Sequence, residues 1–98
     1  MHPFAGSAYA TSKAALAALT RELAADFGPH GVRVNAIAPG EIDTSILSPG
    51  TEQIVESAIP MRRLGSPAEV ANTIFFLCSP AASYINGAEI HINGGQHI

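Results

Sequence analysis

The chemistry in this sequence is concentrated at Tyr9 and Lys13, within the stretch GSAYATSKAAL from Gly6 to Leu16. Lys13 is the single lysine of the chain and sits among small and apolar residues. Positions four apart on a helix are neighbours, so its ammonium falls beside the phenol ring. A free tyrosine has a pKa near ~10 and exchanges protons poorly at neutral pH. Lowering it to about 7 takes roughly 4 kcal/mol of preferential stabilisation of the phenolate. A cation about 4 Å away supplies ~1 kcal/mol in bulk water but on the order of 4 kcal/mol at an effective dielectric of ~20. Burial by itself pushes a phenol the other way. The pair is therefore an acid–base device only in a cleft partly shielded from water. A plainer reading stands beside it, in which the spacing is fortuitous and the lysine snorkels from a helix end.

The elements that must position this pair follow from the remaining pattern. Alanine and leucine dominate Ser7 to Phe27, which predicts a helix stopped by Gly28 and Pro29. On it Tyr9, Lys13, Leu16, Thr20, Leu23 and Phe27 share one stripe, with Arg21 and Glu22 well off it. The first three turns are nearly uncharged all round, so the helix is expected to be buried on more than one face. Val32 to Ala38 predicts a short buried strand, broken by Pro39 and Gly40. A long irregular connection follows, with a short helix around Glu52 to Ala58, and connections of that length are often functional lids. The segment SPAEVANTIFFLCSP predicts the clearest helix. Ser66 caps it, Pro67 takes the first position, Glu69 completes a capping box, and Val70, Ile74, Leu77 and Cys78 form its apolar stripe. Ala88 to Asn93 alternates like a strand and ends in Gly94-Gly95. The last strand–helix–strand portion reads as a crossover in a parallel sheet, so the fold class is α/β.

Composition narrows the partners. Ninety-eight residues make one domain or part of one. An apolar fraction of 47% with 13% charged residues is globular and short of charge, so some apolar surface is expected to meet another chain or another part of its own. The net charge of -3 and scattered arginines argue against nucleic acid. Cys78 is the lone cysteine, which excludes an internal disulfide and disfavours zinc, as does the irregular spacing of His2, His30, His91 and His97. The apolar run TIFFLC is too short to span a bilayer. The start, MHPFAGS, has neither a basic nor an apolar segment, so no signal peptide and a cytoplasmic location are the expectation.

Taken together, YATSKAAL, RVNAIAPGEIDT, RLGSPAEVA and INGAEIHINGG resemble the carboxy-terminal part of a classical short-chain dehydrogenase/reductase, over nearly the whole chain and in the right order. The resemblance implies the carboxy-terminal part of a Rossmann-like, doubly wound parallel sheet, with residues 1–98 forming a single partial domain. It implies that Tyr9 exchanges a proton with the carbonyl or hydroxyl oxygen of a small-molecule substrate. It implies that Lys13 lowers the phenol's pKa and binds the nicotinamide ribose. Pro39, Gly40, Ile42 and Thr44 match the turn and following residues that touch the nicotinamide end of NAD or NADP. A strand's carboxyl end opening into a loop is where open α/β sheets place ligands.

The family's glycine-rich dinucleotide turn is not matched in this chain, and its catalytic serine and supporting asparagine precede the tyrosine by more residues than stand there. Ser7 and Ser12 are not in the serine's place. The chain alone is therefore expected not to turn over. Arg62 and Arg63 could meet an anionic ligand, but a surface salt bridge is the expected role; Glu41 and Asp43 read as solvated loop carboxylates, and His91 as a packed or edge residue. Two functions compete: part of an NAD(P)-dependent oxidoreductase, or an interaction module pairing through its first helix and last strand, with a homo-oligomer as the expected partner state.

Overall fold

The computed structural model describes residues 6–44 and 49–96. In chain order its elements are α1 (Gly6–Phe27), β1 (Ala36–Pro39), α2 (Thr51–Ser57), α3 (Pro67–Leu77) and β2 (Glu89–Ile92), with 3-10 turns at Gly28–His30 and Pro80–Ala82. Residues 45–48 of the expected lid, with His2 and His97, lie outside the described residues. β1 and β2 form a two-stranded sheet. The Ala36 N–H donates to the Ala88 carbonyl and the Gly40 N–H to the Ile92 carbonyl, each at 2.9 Å. The bonds climb both strands in the same sense, which is parallel pairing, and α2 and α3 lie in the crossover between the strands. The α/β class expected from sequence is the class observed.

Two compact units make up the chain. The first runs through Ala36 and includes Tyr84–Glu89. Its α1 is a run of good helix formers that ends where Gly28 and Pro29 tighten the backbone into a 3-10 turn, closed by Gly31 at φ 75°. Side-chain amides then tie together segments far apart in sequence. Asn86 Nδ2 donates to the Ala24 carbonyl at 3.1 Å, and Asn86 Oδ1 accepts from the Val34 N–H at 2.9 Å. Asn35 Nδ2 donates to the Ile85 carbonyl and Asn35 Oδ1 accepts from the Ala88 N–H, both at 2.9 Å. These bonds explain why β1 begins at Ala36 rather than at Val32: amide side chains already occupy backbone groups that a longer ladder would pair.

The expectation that α1 is buried on more than one face is corrected. Of its residues Thr20 and Ala24 are buried, whereas Leu16, Leu19 and Phe27 are about half exposed. The physical reason is that little of the first unit covers the helix: the short segment around Asn86 is tied to it at Ala24. Thr20 satisfies its buried hydroxyl within the helix, donating to the Leu16 carbonyl at 2.8 Å.

The second unit takes Ile37–Ser83 and the chain from Ile90. Its core is small, with Ile59, Leu77 and Ala82 buried. α3 starts as the sequence predicts. Ser66 Oγ accepts from the Glu69 N–H at 3.1 Å while Glu69 Oε1 accepts from the Ser66 N–H at 2.9 Å, a complete capping box with Pro67 at the first position. Its expected apolar stripe is only partly used: Leu77 is buried and Val70 half-buried, but Ile74 and Cys78 are exposed and Phe75 is 78% exposed. So small a core has too few apolar side chains to cover the whole stripe.

Glu69 also holds Arg63 in a two-pronged pair, with Nη1 to Oε1 at 2.8 Å and Nη2 to Oε2 at 2.9 Å. The Arg63 guanidinium bonds, and next the Ser66 backbone bond, lower the carboxyl from 4.5 to about 2. A depressed carboxylate favours the folded state above its unfolded pKa and loses that contribution as pH falls through the folded value. The Glu69 contribution is thus complete above pH 4.5 and disappears on the way down to about pH 2.

Two outcomes follow from these contacts. In a carbon-detected NMR titration Glu69 is expected to have its midpoint near 2, and Arg63→Met is expected to move it toward 4.5; a midpoint unmoved by the substitution refutes the pairing. Asn35→Ala leaves the Ala88 N–H without its partner, while the Ile85 carbonyl keeps a bond from Arg33 Nη1 at 3.3 Å, so urea denaturation is expected to show a loss of about 1–3 kcal/mol. A loss below roughly 0.5 kcal/mol, the bottom of the range for a net hydrogen bond, shows that the amide does not tie the segments.

Candidate functional site

In the first unit the helical spacing of α1 delivers the expected neighbours. Lys13 Nζ lies over the Tyr9 ring, 5.6 Å from its centroid. That is within reach of the negative ring face. Ser12 Oγ donates to the Tyr9 carbonyl at 2.8 Å, so this hydroxyl serves the helix backbone. Tyr9 is 53% exposed and Lys13 is exposed. The structure supplies the contact between the two groups without the dry surroundings that proton exchange at neutral pH demands.

In the second unit β1 ends at the exposed Pro39, which has no N–H to leave unpaired. Gly40 is held tightly against the end of β2. A Cβ placed on it would lie 2.8 Å from Asn93 Cβ and 3.1 Å from Asn93 Cα, so any side chain there forces the two strand ends apart. The next residues are clamped from the other side. Ile42 forms a parallel bridge with Gly65, in which the Gly65 N–H donates to the Glu41 carbonyl at 3.0 Å and the Asp43 N–H to the Gly65 carbonyl at 2.8 Å. Ile42 is half-buried, and its Cδ1 fills the place a Gly65 Cβ would take. Thr44 lies exposed just beyond. Pro39, Gly40, Ile42 and Thr44 are thereby brought onto one short, fixed segment.

A groove of about 290 Å³ lies beside this segment, lined by Glu41, Arg63, Glu69, His91 and the Asn93–Gly95 backbone among others. Arg63 spends its guanidinium on Glu69, the salt-bridge role expected of it. Arg62 donates to the Glu56 carbonyl at 3.2 Å from a left-handed backbone, φ 55°. His91 is exposed on β2, and Glu41 is half-buried rather than fully solvated because its carbonyl is in the Gly65 bridge. Among the described residues no cluster of His, Cys, Asp and Glu is suited to a metal ion, and no helix is long and apolar enough to cross a membrane.

Sequence reasoning missed Asn93 and Gln96. Asn93 Nδ2 donates to the Gln96 carbonyl at 2.8 Å, and Asn93 Oδ1 accepts from the Gly95 N–H at 3.0 Å. Gln96 is 9% exposed, and among the described residues its Oε1 has no hydrogen-bond partner. The available signal was an asparagine followed by two glycines at a strand end, which marks a turn that the side chain itself can close.

Known proteins resemble this chain over nearly its whole length. The family described as Enoyl-(Acyl carrier protein) reductase matches residues 2–97. Protein FixR of Bradyrhizobium diazoefficiens is 71% identical over 98 residues, covering 100% of this chain and 35% of FixR. The 3-oxoacyl-[acyl-carrier-protein] reductase FabG of Aquifex aeolicus is 50% identical over 91 residues, covering 90% of this chain and 37% of FabG. A solved 7 alpha-hydroxysteroid dehydrogenase, complexed with NADH and 7-oxo glycochenodeoxycholic acid, superposes with a TM-score of 0.81 at 46% identity, over 92% of this chain and 37% of that one. The chain thus spans little more than a third of the length of these relatives. Its α/β architecture is the Rossmann-like one of these neighbours, and the chain belongs to the short-chain dehydrogenase/reductase family.

Proposed function

We propose that this chain provides the proton-transfer and nicotinamide-side portion of an NAD(P)-dependent oxidoreductase acting on a small carbonyl or alcohol substrate. The observation that carries the reading is the Lys13 ammonium set over the Tyr9 ring at 5.6 Å. In this reading the Tyr9 hydroxyl gives its proton to the carbonyl oxygen during reduction and takes it back from the hydroxyl during oxidation. Lys13 stabilises the phenolate and, with three N–H donors on a flexible stem, suits the ribose hydroxyls of the cofactor. Pro39, Gly40, Ile42 and Thr44 line the nicotinamide side, where the clamped backbone gives a fixed surface and Thr44 offers a hydroxyl. Each group suits such a cofactor by its own chemistry: an ammonium and a phenol in the first unit, and a hydroxyl on a fixed backbone segment in the second. When bound, the nicotinamide supplies or accepts the hydride.

The half-exposed ring sets the condition for activity. A cation beside a phenol in open water contributes ~1 kcal/mol toward the phenolate, far short of roughly 4 kcal/mol. Shielding must come from beyond the described residues, so the isolated chain is proposed to be inactive. A second reading has its own support. Leu16, Leu19 and Phe75 are exposed on α1 and α3, and β1 and β2 have no further strand beside them among the described residues. Exposed apolar helix faces and open edges favour pairing with a second copy, so a homo-oligomer is the proposed assembly.

Grafting tests the first reading. The chain replaces its matching segment in the Escherichia coli 7alpha-hydroxysteroid dehydrogenase, with which it shares 46% identity over 93 residues. The chimera is expected to reduce a ketone with NADH or NADPH. Tyr9→Phe in it is expected to lower kcat by about 10²–10⁴-fold, the span of general acid catalysis, with the protein still folded. A folded, active chimera indifferent to Tyr9→Phe refutes the assignment. For the assembly, sedimentation of the chain by itself is expected to show a dimer or larger species that Leu19→Glu dissociates; a monomer at all accessible concentrations overturns that reading.

A further inference from the structure

The Pro39–Gly40 turn is held by a contact that the fold alone does not require. Parallel strands need their ladder bonds, and Gly40 makes its own, donating to the Ile92 carbonyl at 2.9 Å. Past that bond the two strand ends stay so close that a Cβ on Gly40 would lie 2.8 Å from Asn93 Cβ and 3.1 Å from its Cα. Asn93 cannot give way easily. Its side chain donates to the Gln96 carbonyl and accepts from the Gly95 N–H, while its own carbonyl accepts from the Gln96 N–H at 3.0 Å. Three bonds in one four-residue turn fix the direction of its Cβ. Gln96 adds to the same wall: its Oε1 lies 3.5 Å from where a Gly40 Cβ would stand. That oxygen is buried with no hydrogen bond among the described residues. A buried, unpaired amide oxygen is unfavourable, so its place beside Gly40 is imposed by the turn around it and not chosen by its own bonding.

We propose that Asn93 and Gln96 form a brace that sets the position of the Pro39–Gly40 turn, and that both are positioning residues for the nicotinamide side of the site. The brace stands on the contacts themselves; its consequence for the cofactor rests on the function proposed above. Neither residue needs to touch a ligand. They act by fixing the backbone at Gly40, from which Ile42 and Thr44 follow.

Amide hydrogen exchange in the full chain, read residue by residue with NADH titration alongside, tests this. In Asn93→Ala the Gly40 N–H is expected to exchange about tenfold or more faster, with α3 amides unchanged, because local opening is released without global unfolding. Asn93→Asp keeps an acceptor for the Gly95 N–H and is expected to restore much of the protection. Should Asn93→Ala fail to fold, Gln96→Ala carries the test with the same expectation. Gly40 exchange that stays at the wild-type rate, or that rises only in step with α3, overturns the brace. Where the wild-type chain binds NADH, Asn93→Ala is expected to weaken binding about tenfold without changing α3 protection. If the chimera with the 7alpha-hydroxysteroid dehydrogenase binds no NADH while Gly40 exchange in the chain still responds, the brace stands and the cofactor role proposed for this segment is what fails.

Discussion

Amide side chains spanning the two strand segments are the interaction on which the rest of this structure depends. Asn35 and Asn86 each bond to two backbone groups fifty or more residues away, and Asn93 closes the turn after β2. With Ala24 the buried apolar residue of the first unit and Ile59, Leu77 and Ala82 those of the second among the described residues, hydrophobic burial alone offers little to fix register. A side-chain amide presents a donor and an acceptor in fixed geometry, so it pins direction as well as distance. Within the first unit these pins tie the chain before β1 to the segment before β2, and within the second Asn93 fixes the turn that follows β2.

The same shortage of cover explains the exposed apolar side chains. α1 is built like an interior helix, rich in alanine and leucine, yet it shows Leu16, Leu19 and Phe27 to solvent. α3 does so with Phe75 and Phe76. A helix composed for burial on several faces, with only one face partly covered, has surface suited to more protein. The relatives, in which the matching segment is little more than a third of the chain, show the scale at which such segments occur.

Chemistry depends on that cover as much as stability does. The contact between Lys13 and Tyr9 is a local property of the helix, but the strength of the attraction is set by the water around it. At the observed exposure the ammonium is well hydrated, and most of its field at the phenol is screened. The turn at Gly40 is the opposite case. Its geometry is complete within the second unit, because the groups that hold it, Ile92, Asn93 and Gln96, lie in that unit.

What the sequence by itself determined was local. The pairing of Tyr9 with Lys13, the stop at Gly28-Pro29, the capping box at Ser66 and Glu69, and the place of the last strand all depend on residues within a few places of one another. Short-range periodicity and turn chemistry are enough for these. Four ordered segments also made the family legible, since together they are far more specific than any one spacing. What only the tertiary structure decided was non-local: the late start of β1, the exposure of α1, and the pressing of Gly40 onto Asn93. The first is set by Asn86 and Asn35 reaching across the fold, the second by which segments lie against the helix, and the third by two strand ends meeting. Each depends on partners distant in sequence, and no local pattern in a single chain encodes which of them arrive.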